Sequence, residues 1–207
     1  MLISKKHHFI FIHIYKNAGS SITEALKPLI AKEWRWKINL IFRKLKVPGL
    51  NLQPFPAHVY TQEVIDQLGK DIFDSYFSFA IVRNPWDWQV SLFKYMQKEK
   101  RNYQHELASK FQSFDEYIEW RCAEEVRFQK DFIYSSEGEL LVDFVGRFEN
   151  LEQDFAEICQ RIGVPSIQLP KINVSNTKPY RSFYNDKTRE MVRAAFEPDI
   201  SLFNYSF

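Results

Sequence analysis

An apolar run, Phe9-Ile-Phe-Ile-His-Ile14, gives way abruptly to a small polar stretch, Tyr15-Lys-Asn-Ala-Gly-Ser-Ser21. Short, β-branched-rich runs of this kind predict a buried strand. The polar stretch predicts a loop that opens into a helix, with Ser20 or Ser21 as its cap and Ser21-Ile-Thr-Glu24 as a capping box. Pro28 is expected to end or kink that helix. The pattern recurs at Tyr76–Val82, a second strong strand. There Asn84 is placed to cap and Pro85 to begin a helix running to about Lys100. Leu141–Phe148 predicts a third strand, and Ala57–Thr61 a short extended segment. Further helices are predicted at Gln62–Leu68, stopped by Gly69, and from the capping box Ser113-Phe-Asp-Glu116 through Trp120 and beyond. Two more follow at Leu151–Ile162, closed by Gly163, and Asp186–Phe196, ended by Pro198. Strands alternating with helices imply an α/β fold with a central parallel sheet flanked by helices. In such sheets ligands bind off the carboxyl ends of the strands.

Residues 32–47 break this rhythm. Lys32, Arg35, Lys37, Arg43, Lys44 and Lys46 face a single acid, Glu33, while Trp34, Ile38, Ile41, Phe42 and Leu45 recur at helical spacing. This is a basic amphipathic helix, followed by a Pro- and Gly-containing loop to Pro56. A packed helix with a solvated lysine face explains it. So does the wall of an acceptor groove for a negatively charged sugar polymer, or a face lying on an anionic membrane.

At 207 residues the chain is long enough for one α/β domain with a full core, read as residues 1–207 with a variable basic insert at about 32–56. The net charge of +2 does not mark a general nucleic-acid binder. Two distant cysteines, Cys122 and Cys159, argue against a disulfide framework or zinc site. No segment reads as a signal peptide or a membrane span. The expectation is a soluble, cytoplasmic protein of unspecified oligomeric state.

The chemistry concentrates at the two strand-to-helix junctions. At the first, unpaired loop and helix N–H groups form an anion cradle. Lys16 adds a charge, and Ser20 and Ser21 add hydroxyls. A nucleoside-triphosphate loop would place lysine after the glycines, but Lys16 precedes Gly19. The second strand ends in Arg83 where a magnesium-binding acid would stand. At the second junction the Arg83 guanidinium suits a bidentate grip on a phosphate. Ser91 lies about two turns into the following helix.

Together these segments resemble sulfotransferases that use 3′-phosphoadenosine 5′-phosphosulfate. Lys16-Asn-Ala-Gly-Ser-Ser21 is similar to their 5′-phosphosulfate loop, and Val82-Arg-Asn-Pro-Trp-Asp-Trp-Gln-Val-Ser91 to their 3′-phosphate segment. Val145-Gly-Arg-Phe-Glu-Asn-Leu-Glu-Gln-Asp-Phe155 and Asn176-Thr-Lys-Pro-Tyr-Arg181 resemble stretches of the carbohydrate branch. The chain departs from the family at Tyr15 and Asn17, often proline and threonine, and at Trp86 and Trp88, often tyrosine and arginine. The resemblance implies a three-layer P-loop-like fold and transfer of a sulfuryl group to a hydroxyl, on a carbohydrate, with no metal. It implies that Lys16, Asn17, Ala18, Gly19, Ser20 and Ser21 hold the 5′ end of the donor, and Arg83 and Ser91 its 3′-phosphate. Lys16 would also meet the charge that builds on the departing oxygen.

The acceptor hydroxyl needs a general base. His7 and His8 sit in an expected frayed terminus, His13 reads as a core histidine, and His105 as solvated. His58, in Pro56-Ala-His-Val-Tyr60, resembles the catalytic histidine of uronyl-type members and is expected on a short strand near the loop. Glu63 or Asp87 is the substitute, although Asp87 also suits the first turn of a helix as a dipole-complementing charge. Two other functional classes stay open: a nucleotide or small-molecule kinase, and a non-catalytic nucleotide-binding module.

Overall fold

The computed structural model describes residues 1–30, 55–98, 105–170, 172 and 178–207. The basic segment 32–47 and residues 173–177 lie outside the described residues, so the expected basic helix and the start of the Asn176–Arg181 motif are not among them. The chain divides into two compact units, each drawn from two chain segments: Met1–Val82 with Phe132–Asn173, and Arg83–Asp131 with Val174–Phe207.

The first unit carries a four-stranded sheet in the order β1 (Leu2–Ser4), β2 (Phe9–Ile12), β3 (Phe77–Val82), β4 (Phe144–Arg147). β2, β3 and β4 run parallel, with Phe11 opposite Phe79 and Phe79 opposite Phe144. Parallel strands are buried on both faces, which is why β2 and β3 read as continuous apolar runs. Phe9, Phe11, Phe79 and Ile81 share one face. They pack with Ile22, Ala25 and Leu26 of α1 (Gly19–Ile30), and with Phe155, Ile158 and Cys159 of a later helix, Leu151–Arg161. Ile10, Ile12, Ala80 and Val82 of the opposite face are at most 1% exposed. Asp143 starts β4 by accepting from both the N–H and the hydroxyl of Ser78, at 2.7 and 2.8 Å.

Several expectations are corrected here. The sheet is not wholly parallel: the amino-terminal residues, read as frayed, form β1 antiparallel to β2. The turn between them places His8 at φ 46°, with its ring tilted against Tyr76 at 5.3 Å between centres. The third strand spans only Phe144–Arg147 of the expected Leu141–Phe148. Pro28 sits inside α1 without ending it, and no strand forms over 57–61. Two helices follow in this unit, α2 (Thr61–Leu68) and α3 (Lys70–Asp74), and Leu151–Arg161 closes at Gly163, whose φ of 69° suits a residue without Cβ.

The second unit is helical. It contains α4 (Pro85–Lys98), α5 (His105–Ala108) and α6 (Phe114–Glu124); α7 is the first unit's Leu151–Arg161, and α8 (Asp186–Ala195) and α9 (Glu197–Leu202) complete this one. Ser113 caps α6 as its sequence predicts, accepting from the Glu116 N–H at 3.2 Å. Pro198 begins α9 rather than merely ending α8, because a first-turn proline forfeits no helical hydrogen bond. Trp88 is fully buried edge-on to Phe196, and Trp86 Nε1 donates to the Arg189 carbonyl at 3.0 Å. His105, expected in solvent, has Nδ1 2.8 Å from the Met96 carbonyl. Cys122 and Cys159 are free thiols.

Candidate functional site

The first junction is built on backbone. Lys16 and Ala18 both adopt left-handed φ, 66° and 58°. Non-glycine residues rarely do so, and such conformations persist only where surrounding structure holds them. Asn17 between them is the anchor: it is 1% exposed, and its Nδ2 donates to the Ile81 carbonyl of β3 at 2.8 Å. Its side chain thus ties the loop to the sheet. α1 begins at Gly19, one residue before the expected caps, so Ser20 and Ser21 lie in its first turn. The first intrahelical bond runs from the Ile22 N–H to the Ala18 carbonyl at 3.1 Å. The N–H groups of Gly19, Ser20 and Ser21 therefore precede it, and the first turn holds no acidic side chain to compete for them. Ser20 is exposed and Ser21 buried.

Gly19 is required sterically. A Cβ there would lie 1.7 Å from Nε2 of His13. The imidazole occupies the space a side chain would need, stacked 5.6 Å from Phe11. Burial, reinforced by the positive charges of the amino terminus, His58 and Lys16, pushes the His13 pKa down to about 3. His13 is therefore neutral at pH 7.

His58 stands against the same histidine. Its Nδ1 lies 2.9 Å from the His13 carbonyl oxygen, and the two rings meet edge-on at 4.6 Å. A carbonyl can only accept, so Nδ1 carries the proton in this bond and the neutral ring presents an unprotonated Nε2. Burial lowers the His58 pKa, partly offset by the bond to His13. Tyr15 packs edge-on against His58 and Phe132, both at 5.9 Å, and Tyr60 stacks on Phe132 at 4.8 Å. Tyr15, where the family often has proline, thus lines the wall beside His58. Glu63, the alternative base, is an exposed first-turn residue of α2.

The second junction is built on side chains. Asn84 caps α4 by accepting from the Trp86 N–H at 3.1 Å, and its Nδ2 donates to the Ser206 carbonyl at 2.8 Å. The Arg83 side chain, 12% exposed, donates through Nε and one Nη to Asp87 Oδ2, each at 2.8 Å. Asp87 is thus a partner of Arg83 as well as a first-turn charge. Gln129 grips the Arg83 main chain at both ends: its Oε1 accepts from the Arg83 N–H at 2.9 Å and its Nε2 donates to the Arg83 carbonyl at 2.8 Å. Gln129 is itself held by buried Asp199, which accepts its N–H at 2.7 Å. Burial raises the Asp199 pKa to about 6. Sequence reading missed Gln129 and Asp199, since neither lies in a motif. Ser91 is half-buried on α4.

Among the described residues no helix is long and apolar enough to cross a membrane. A family model described as the sulfotransferase family matches residues 1–206. An uncharacterized protein of Archaeoglobus fulgidus is 30% identical over 118 residues, covering 56% of this chain and 92% of that protein.

Proposed function

The chain belongs to the sulfotransferase family, and from that premise we propose that it moves a sulfuryl group from 3′-phosphoadenosine 5′-phosphosulfate to a carbohydrate hydroxyl on a three-layer P-loop-like fold. The observation that carries this reading is the first junction. A strained loop centred on Lys16 leads into a helix start with no acid of its own, and the adjacent His58 offers an unprotonated Nε2.

In this reaction the acceptor oxygen attacks sulfur in line while the bond from sulfur to the 5′-phosphate oxygen breaks. The acceptor proton passes to Nε2 of His58. The electron pair of the broken bond stays on the departing oxygen, where Lys16 and the N–H groups of Gly19 and Ser20 meet its charge as it develops. Asn17 and Ala18 shape the loop, Ser21 completes its helical end, and Arg83 and Ser91 take the 3′-phosphate. The carbohydrate acceptor rests on the resemblance of residues 145–155 and 176–181, with the exposed Tyr60 ring a surface suited to stacking on a sugar.

Calorimetry with 3′-phosphoadenosine 5′-phosphate and with AMP tests the donor. A clear preference for the doubly phosphorylated nucleotide is expected, and indifference between the two would reject it. Parallel incubation with Mg²⁺-ATP should consume no ATP; consumption would instead identify a kinase.

A further inference from the structure

On α4, Asp87, Ser91 and Lys94 recur at helical spacing and so fall along one face. Lys94 belongs to no motif, yet its surroundings are unusual. Its Nζ is shut off from solvent and makes no hydrogen bond. The ammonium stands 4.2 Å from the centre of the Phe183 ring. A ring face attracts a cation but cannot accept its three N–H bonds, so the charge is left undersatisfied. Asp87, which could have neutralised it, is committed to Arg83. Burial lowers the Lys94 pKa, while Asp87 raises it and Arg83 lowers it further, which marks the three as electrostatic neighbours.

A buried ammonium without a partner is costly, and an ionisable group perturbed in this way marks a candidate functional site. Arg83, just ahead of the helix, brings its guanidinium to Asp87 of this face, and Ser91 adds a hydroxyl. A planar fork, a point charge and a hydroxyl are the donor set for a tetrahedral phosphate dianion rather than for a planar carboxylate, which a single arginine satisfies. We propose that Lys94 is a third ligand of the phosphate monoester held by Arg83 and Ser91, and so sets preference for a 3′-phosphorylated nucleotide. This rests on the donor reading above, and it adds a residue that neither junction motif contains.

The test is calorimetric titration of the full chain and of Lys94→Met, with 3′-phosphoadenosine 5′-phosphate and with AMP. Methionine keeps the packing on Phe183 and removes the charge; Lys94→Gln provides a second neutral variant, and thermal melting checks that both fold. Both variants should lose roughly ten- to a hundredfold in affinity for the doubly phosphorylated nucleotide, with AMP affinity unchanged within about twofold. Because a buried unpaired charge is removed, neither variant should melt lower than the parent. Undiminished preference in both variants overturns the role of Lys94 while leaving the donor reading intact. A parent chain indifferent to the 3′-phosphate overturns both. Equal losses for both nucleotides would show a general structural role and also overturn the proposal.

Discussion

The two strand-to-helix junctions follow a shared sequence logic and achieve it by different physical means. At Tyr15–Ser21 the backbone does the shaping: two non-glycine residues hold left-handed φ, and a helix begins at a glycine pressed against an imidazole. At Arg83–Ser91 the side chains do it: Asn84 caps, Asp87 grips Arg83, and Gln129 brackets the Arg83 main chain. A site of backbone N–H groups fixes geometry and tolerates little steric change. A site of side chains distributes its function over several partners, each of which can be removed at a graded cost.

The sharpest way to break this contrast is Gly19→Ala. With a Cβ 1.7 Å from Nε2 of His13 the imidazole must move, and overpacking of this kind costs about 1–3 kcal/mol. Chemical denaturation should show that loss, and the double variant with His13→Ala should recover most of it, because the two effects share one contact. Recovery absent in the double variant would mean that the glycine serves something other than the imidazole.

His58→Ala should lower turnover by about 10²–10⁴-fold with little change in donor affinity. The pH profile sharpens the assignment. In the proposed reaction His58 acts neutral, and burial holds its pKa below the usual histidine value of 6.5. The rate should therefore stay level as pH falls to that value and decline only below it. A decline beginning above it would assign the limb to another group.

Lys16→Ala should reduce transfer by roughly 10²–10³-fold, the usual value of one well-placed transition-state contact. Activity within a few-fold of the parent would leave the backbone N–H groups alone responsible for the leaving oxygen. Smallest is Gln129→Ala, which removes two hydrogen bonds to the Arg83 main chain. A stability loss of about 1–3 kcal/mol is expected, with donor affinity weakened and turnover at saturation preserved. Loss of turnover instead would show that the second junction shapes the reacting centre directly.

Local structure was legible wherever cause and effect are neighbours in the chain. The apolar runs marked β2 and β3, Ser113 marked the start of α6, and Asn84-Pro85 marked α4. Short-range rules failed where a partner came from elsewhere: β1 was read as frayed because its pairing strand supplies the order. Nothing local in the sequence marks Lys94, because a lysine on a helix ordinarily faces water; its buried Nζ over Phe183 is what distinguishes it.

By itself, the sequence determined the alternation of strands and helices, the small polar loop with its lysine, and family membership, because these depend on periodicity and on residues in a row. Tertiary structure alone decided how the candidate site residues are held. His58 is held by a carbonyl 45 residues away, Arg83 by a glutamine 46 residues away, and that glutamine by an aspartate 70 residues away. Such bonds form only after the core has brought distant segments together. They fix the tautomer of His58 and the setting of Arg83 through contacts that no local pattern of side chains encodes.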